Sequence, residues 1–183
     1  LFITKIVTTP LNQVFIKSLR SYFKLSLVIY LFANLLYFWV RVGAFAEEGL
    51  QGLFDPLMIS IIYDSGLGNA LDYGLLAGLF ALVFYVTNKL LNTYWLELMF
   101  FTLMLVSISL SFSFTGHTAD FSLIEKSLLS IHILIAFLWL GCLYPLWRLT
   151  TLEGPKLNQK VLELFGYYAS FLVPLLLMAG LGL

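Results

Sequence analysis

Long apolar stretches separated by short polar segments dominate the pattern of this chain. A helix needs about 20 mostly apolar residues to cross a bilayer, and five stretches fit this length once the second is extended at both ends. The pattern therefore predicts an all-α bundle of about five membrane-spanning helices. The stretches are residues 22–42, 73–87 (69–91 when extended), 94–114, 127–147 and 161–183.

Two further segments are predicted to be helical without crossing the membrane. Residues 1–21 mix basic and apolar side chains, which is typical of an amphipathic helix lying on the membrane surface. A second apolar run ends near Tyr63 and is too short to span. Asp55 is placed to cap it, with Pro56 at the first helical position. We therefore expect a short helix at the membrane interface.

The composition agrees with a membrane protein. Hydrophobic residues make up 61% of the chain and charged residues 11%, whereas soluble domains carry about 25% charged residues. No linker or repeat divides residues 1–183, so we expect a single domain. No basic run suggests nucleic acid as a partner. No catalytic or nucleotide-binding motif is present, so we do not expect an enzyme.

The charges predict an orientation. If successive segments alternate between the two sides, eight of the ten Lys and Arg residues share the side of the N-terminus, and seven of the ten acids lie on the other. The positive-inside rule then places the N-terminus in the cytoplasm and the C-terminus outside. The eight basic residues are Lys5, Lys17, Arg20, Lys24, Lys89, Arg148, Lys156 and Lys160.

The two histidines of the chain are the strongest candidates for chemistry. His117 closes the third stretch, and His132 lies one or two turns into the fourth. An imidazole in an apolar helix is costly unless it has a partner or a function. The short connection predicts antiparallel neighbouring helices, with both rings at a similar depth near the outer surface. Neutral imidazoles bind copper, zinc and haem iron.

Further donors near that side would complete a metal site. Thioether sulfur combined with imidazole favours copper over magnesium or calcium. The additional ligands considered are Met58, Asp120 and Met178, and the residues expected to surround the site are Thr115, Gly116 and Trp139.

A purely structural interpretation stays open for each of these residues. His117 would then bond a loop carbonyl and His132 a neighbouring helix, while the methionines would serve as packing. Asn34 is expected to bond another helix, and the pair Gly74 and Gly78 favours close helix packing.

Two blocks of sequence resemble a known family. Residues 115–119 read Thr-Gly-His-Thr-Ala, and residues 131–146 contain His, Trp, Gly and Pro in the order His-x6-Trp-x-Gly-x-Leu-x-Pro-Leu. They look like the CopD copper-resistance family of bacterial inner-membrane proteins, of which this chain would be a shortened form. Residues 53–68 also resemble the family's segment before the preceding span. The similarity covers residues 50–183.

The resemblance implies a role in copper handling at the bacterial inner membrane. The family's histidines map onto His117 and His132, and family members are associated with copper uptake and with a small periplasmic copper carrier, CopC. The leading hypothesis is therefore a copper-binding protein that takes up or transfers copper from the periplasmic side.

Two other hypotheses remain. The histidines could be axial ligands of a b-type haem in an electron-transfer bundle. Alternatively, the chain could be a non-catalytic subunit or assembly factor in a homo- or hetero-oligomeric membrane complex, with the lipid bilayer as its main environment.

Overall fold

The computed structural model describes residues 13–91, 93–115, 122–152 and 155–182. These residues form helices and no β-strand, and five of the helices are long and apolar enough to cross a membrane. The predicted all-α fold with five spanning helices is thus confirmed. In the described residues the helices are α1 (Gln13–Ala46), α2 (Pro56–Tyr63), α3 (Gly66–Leu90), α4 (Tyr94–Ser113), α5 (Leu123–Leu152) and α6 (Pro155–Leu181), and a 3-10 turn lies at Gly52–Phe54.

Helix α1 is longer than the sequence pattern predicted. It contains 34 residues, which at 1.5 Å per residue is about 51 Å and exceeds the roughly 30 Å thickness of the hydrocarbon core. Residues 13–21 continue into the span because the sequence contains no proline or glycine between Gln13 and Gly43. The rest of the predicted amphipathic segment, residues 1–12, lies outside the described residues.

The short helix α2 forms where the sequence predicted it. The Oδ1 atom of Asp55 accepts the backbone N–H of Leu57 at 2.8 Å, and Pro56 is the first helical residue. At the other end, the Tyr63 hydroxyl donates to the Asp72 carboxylate at 3.2 Å. This bond and the negative charge of Asp72 raise the pKa of the Tyr63 phenol, so the phenol stays a donor that ties α2 to α3.

Contacts within the chain define two compact units. One consists of Leu1–Leu25 together with Ile131–Leu183, and the other of Ser26–Ser130. Helices α1 and α5 each contribute residues to both units. The expectation of a single domain over residues 1–183 stays a prediction.

In the unit Ser26–Ser130, α3 and α4 form an antiparallel pair. Tyr73 near the start of α3 stacks on Phe114 just after α4, with ring centroids 5.5 Å apart. Further along, Phe84 packs against Phe101 at 5.7 Å. Because the partner number falls as the α3 number rises, the two helices run in opposite directions along a shared apolar face.

Buried serines give α4 two polar stripes. Alternate positions of a helix differ by about 200°, so serines two residues apart face nearly opposite directions. The Ser111 hydroxyl donates to the Ala70 carbonyl of α3 at 2.7 Å, and the Ser109 hydroxyl donates to the Ser130 carbonyl of α5 at 3.2 Å. Helix α4 therefore lies between α3 and the beginning of α5. The buried serines are Ser107, Ser109, Ser111 and Ser113.

Helix α1 packs closely on α3 through a glycine surface. The Asn34 amide donates to the Leu71 carbonyl at 3.3 Å, and the Tyr30 hydroxyl donates to the Gly74 carbonyl at 3.2 Å. A Cβ at Gly74 would collide with the Asn34 side chain, and Gly78 admits a leucine of α1 in the same way. The predictions that Asn34 bonds a neighbouring helix and that the glycines allow close packing are confirmed.

The substitution Gly74→Ala tests this packing. The added Cβ displaces Asn34, and we expect the free energy of unfolding to fall by about 1–3 kcal/mol, as for other overpacked sites. Gly141→Ala is the control, since nothing lies within 4 Å of a Cβ at that position, and alanine in a helix should be neutral or stabilising by about 1 kcal/mol. Unfolding of the detergent-solubilised protein in SDS, followed by circular dichroism, measures both. Equal stability changes in the two variants would contradict the packing.

Candidate functional site

His132 lies where α5 meets α6, in the unit that contains Ile131–Leu183. The imidazole Nδ1 is 3.0 Å from the Leu176 carbonyl oxygen. Seven residues later in α5, the ring of Trp139 packs on Phe165 of α6 with centroids 5.0 Å apart. Because the partner in α6 moves backwards as α5 advances, these two helices are antiparallel. Trp139 is half-buried, as expected for an aromatic residue in the middle of a span.

The hydrogen bond of His132 determines which ring nitrogen carries the proton. A carbonyl oxygen only accepts, so Nδ1 donates its hydrogen to Leu176. In a neutral imidazole the other nitrogen, Nε2, then keeps its lone pair. An N–H donated to a backbone carbonyl is also the usual arrangement of histidines that bind metals, since it fixes the ring and raises the basicity of the ligating nitrogen.

Gly180 provides the space for the imidazole. A Cβ at this position would lie 2.9 Å from Cε1 and 3.1 Å from Nδ1 of His132. Gly180 stands one turn after Leu176 on α6, so the ring rests on the bare backbone beside the carbonyl that it bonds. The position of the imidazole thus depends on a residue without a side chain.

The residues predicted around the first histidine are mostly not part of the described structure. His117, Asp120 and Gly116 lie outside the described residues, so their predicted roles stay predictions. Thr115 is described, and its hydroxyl donates to the Phe112 carbonyl at 3.0 Å. That bond closes the C-terminal end of α4, as polar side chains at helix ends commonly do.

The two methionines considered as ligands lie in different surroundings. Met178 is 70% exposed, and it lies two residues from both Leu176 and Gly180, which places it about 200° around the helix from the face that receives the imidazole. Met58 belongs to the other unit, where it packs against an apolar cluster of α1 and α2. Both thioethers have the surroundings expected of packing or lipid-facing residues.

No complete metal site is present in the described part of the chain. Among residues 13–91, 93–115, 122–152 and 155–182, no three His, Cys, Asp or Glu side chains come together in a way that could hold an ion. His132 therefore supplies one oriented nitrogen donor, and further ligands would have to come from elsewhere.

Sequence reasoning missed one buried acid. Glu97 is only 5% exposed and lies in the first turn of α4, where the helix dipole favours a negative charge. In the sequence it is only one of the ten acids of the chain. Its position in the first turn after Thr93 is the one feature of the sequence that favours an acid there. Its burial could not be predicted, because the packing of α3 on α4 determines which face of α4 is buried.

No family model matches the chain, and no curated protein or solved structure matches it either. The resemblance to the CopD family therefore rests on the residues quoted for it.

The substitution Gly180→Ala tests the contact between the imidazole of His132 and the backbone of α6. The added Cβ pushes the ring away from Leu176 and weakens a hydrogen bond that, between membrane helices, typically contributes about 0.6 kcal/mol and up to about 2. Gly166→Ala on the same helix is the matched control, because it has the same gain in helix propensity and nothing lies within 4 Å of its Cβ. We expect Gly180→Ala to be less stable than Gly166→Ala by about 1 kcal/mol in SDS unfolding. Equal stabilities would show that the contact is absent.

Proposed function

We propose that this chain is a copper-binding membrane protein in which Nε2 of His132 is a metal ligand. The observation that supports the proposal is the 3.0 Å hydrogen bond from Nδ1 to the Leu176 carbonyl. It places a proton on Nδ1, so the neutral form of the ring has its lone pair at Nε2, and this is the form that binds a metal. His132 is half-buried between α5 and α6.

Copper is favoured as the cargo by the sequence. Imidazole suits copper, zinc and iron, and the Gly-His and His-Trp-Gly-Pro blocks resemble those of a copper-handling family. His117 would provide a second nitrogen and Asp120 an oxygen ligand, both proposed from the sequence alone. Met178 lies on the opposite face of α6 from the one that receives the imidazole, so the proposal does not use it as a ligand, and a role for Met58 stays a prediction.

The proposed side of copper entry follows from the charge asymmetry. In the proposed orientation the N-terminus is cytoplasmic and the C-terminus periplasmic, in a bacterial inner membrane, because most of the basic residues share the side of the N-terminus. The acidic side then faces the periplasm and attracts cations. Copper would enter there, delivered free or by a CopC-like carrier, and bind near the outer end of α5.

The substitution His132→Asn separates metal binding from packing. The Asn Nδ2 group can occupy the place of the imidazole Nδ1 and still donate to Leu176, but Asn has no counterpart of Nε2. We expect the variant to unfold like the wild type and to bind copper more than about 10-fold more weakly, since loss of even an outer hydrogen-bond partner of a ligand commonly has that effect. Copper titration of the purified protein against a chelator of known affinity measures the change.

Two comparisons complete the experiment. His132→Ala removes both nitrogens, so it should lose copper affinity and stability together, and His117→Gln tests the second proposed ligand. Copper affinity in His132→Asn equal to that of the wild type would refute the role of Nε2. A Soret band in the absorbance spectrum of the purified wild type would instead identify haem as the bound group.

A further inference from the structure

A cationic side chain is held by polar contacts where α1 meets α5, in the unit that contains residues 1–25 and 131–183. The Arg148 Nε donates to the Ser18 hydroxyl at 3.0 Å. That hydroxyl oxygen is also 2.8 Å from the Tyr144 hydroxyl, with which it shares a hydrogen bond. The three side chains form a chain of hydrogen bonds that connects the beginning of α1 to the end of α5, and this fixes the orientation of the guanidinium.

Aromatic rings surround this cluster. Tyr22 stacks on Tyr144 with centroids 4.1 Å apart and an interplanar angle of 17°. Trp147 packs beside Tyr144 at 5.9 Å, and the Arg148 guanidinium carbon is 5.8 Å from the Trp147 ring centroid. Arg148 is thus half-buried, with its guanidinium beside an aromatic face that attracts a cation.

Among the residues that the structure describes, none accepts a hydrogen bond from the outer edge of the guanidinium. Arg148 carries five N–H donors, and its bond to Ser18 uses the one on Nε. Within the described residues, neither Nη nitrogen of Arg148 has a hydrogen-bond acceptor, and no carboxylate pairs with it. The two Nη groups form a planar fork that matches two oxygens of a phosphate or carboxylate. Fixed by Ser18 and unpaired at this edge, the fork is preorganised for an anion.

The location of the cluster selects the source of that anion. Ser18 precedes the predicted start of the first span near Tyr22, and Arg148 directly follows the predicted end of the fourth at Trp147. The cluster therefore lies at the level of lipid headgroups, with its aromatic residues in the position of an interfacial belt. Three exposed basic residues of α1 lie on one face of the helix because they are three and four positions apart. They are Lys17, Arg20 and Lys24.

Apolar side chains next to the cluster are suited to acyl chains. Leu140, one turn below Tyr144 on α5, is 59% exposed, and Leu25, three residues after Tyr22 on α1, is 60% exposed. A molecule with an anionic head and apolar tails would place its head against the guanidinium and its tails along these residues. Free phosphate and soluble peptides have no acyl chains that would contact that apolar surface.

We propose that Arg148, positioned by Ser18 and Tyr144, binds the phosphodiester of an anionic phospholipid at the headgroup level. The site is separate from His132 and does not depend on copper binding. The bound lipid completes the hydrogen bonds of the guanidinium and holds α1 against α5 at this end of the unit.

Native mass spectrometry of the purified protein tests the site by counting bound phosphatidylglycerol over a concentration series. Arg148→Met keeps an apolar stem and removes the fork, and we expect its affinity to fall about 10-fold, the scale of one bidentate charge-assisted contact. Arg20→Met is the matched control, because it removes an equal charge that is exposed and on the same side, and it should change the affinity less than about 3-fold, as a screened surface charge does. Arg148→Lys keeps the charge without the fork and should lie between the two.

Several outcomes would overturn the proposal. They are wild-type affinity in Arg148→Met, equal losses in Arg148→Met and Arg20→Met, equal binding of zwitterionic phosphatidylcholine, and displacement of the lipid by millimolar inorganic phosphate. If Arg148→Met does not fold, Ser18→Ala serves in its place, since it frees the Nε group while keeping the charge. Its affinity should fall by less than that of Arg148→Lys, and an affinity equal to the wild type would contradict the positioning role of Ser18.

Discussion

The structure depends on hydrogen bonds that polar side chains donate to the backbone carbonyls of facing helices. A hydrocarbon environment supplies no water, so a polar side chain in a spanning helix must find its partner within the protein. A helical carbonyl has a second lone pair free to accept such a donor. Each bond fixes both the distance and the register of two helices. The donor and acceptor pairs are Asn34 with Leu71, Ser111 with Ala70, Ser109 with Ser130 and His132 with Leu176.

These bonds require close approach, and glycine provides it at two of them. Gly74 leaves room for the Asn34 amide, and Gly180 leaves room for the His132 imidazole. The amide of Asn34 donates to the Leu71 carbonyl and so contributes to the packing of α1 on α3. The imidazole has a second nitrogen beyond the one that bonds Leu176, so the same contact also orients the nitrogen that we propose as a metal ligand. One contact can therefore serve helix packing and metal binding together, which is why the two interpretations of His132 are not exclusive.

The existence of the helices could be predicted from the sequence, but their ends and faces could not. Five apolar runs identified five spans, because bilayer thickness sets their length. Helix α5 extends from Leu123 to Leu152, beyond the predicted 127–147, since backbone hydrogen bonding continues where the side chains become polar. Asp55 and Pro56 carry a local signal, and the helix they predicted is present.

Contacts between distant segments carry no such signal. Met178 was considered as a ligand because of its depth, but the face of α6 that meets His132 is determined by Gly180 and Leu176. Arg148 and Ser18 are 130 positions apart in the sequence. Their contact could therefore not be predicted, and Arg148 enters the sequence analysis only as one of the basic residues.

The central claim is that His132 is held as the Nδ1–H tautomer with Nε2 free. Nitrogen NMR of the metal-free protein labelled in its histidine rings measures this directly, and the His117→Gln variant leaves only the ring of His132 in the spectrum. We expect Nδ1 to carry a proton and its signal to be perturbed by Gly180→Ala, because this nitrogen donates to the Leu176 carbonyl. A neutral ring protonated at Nε2 with Nδ1 unprotonated would contradict this arrangement.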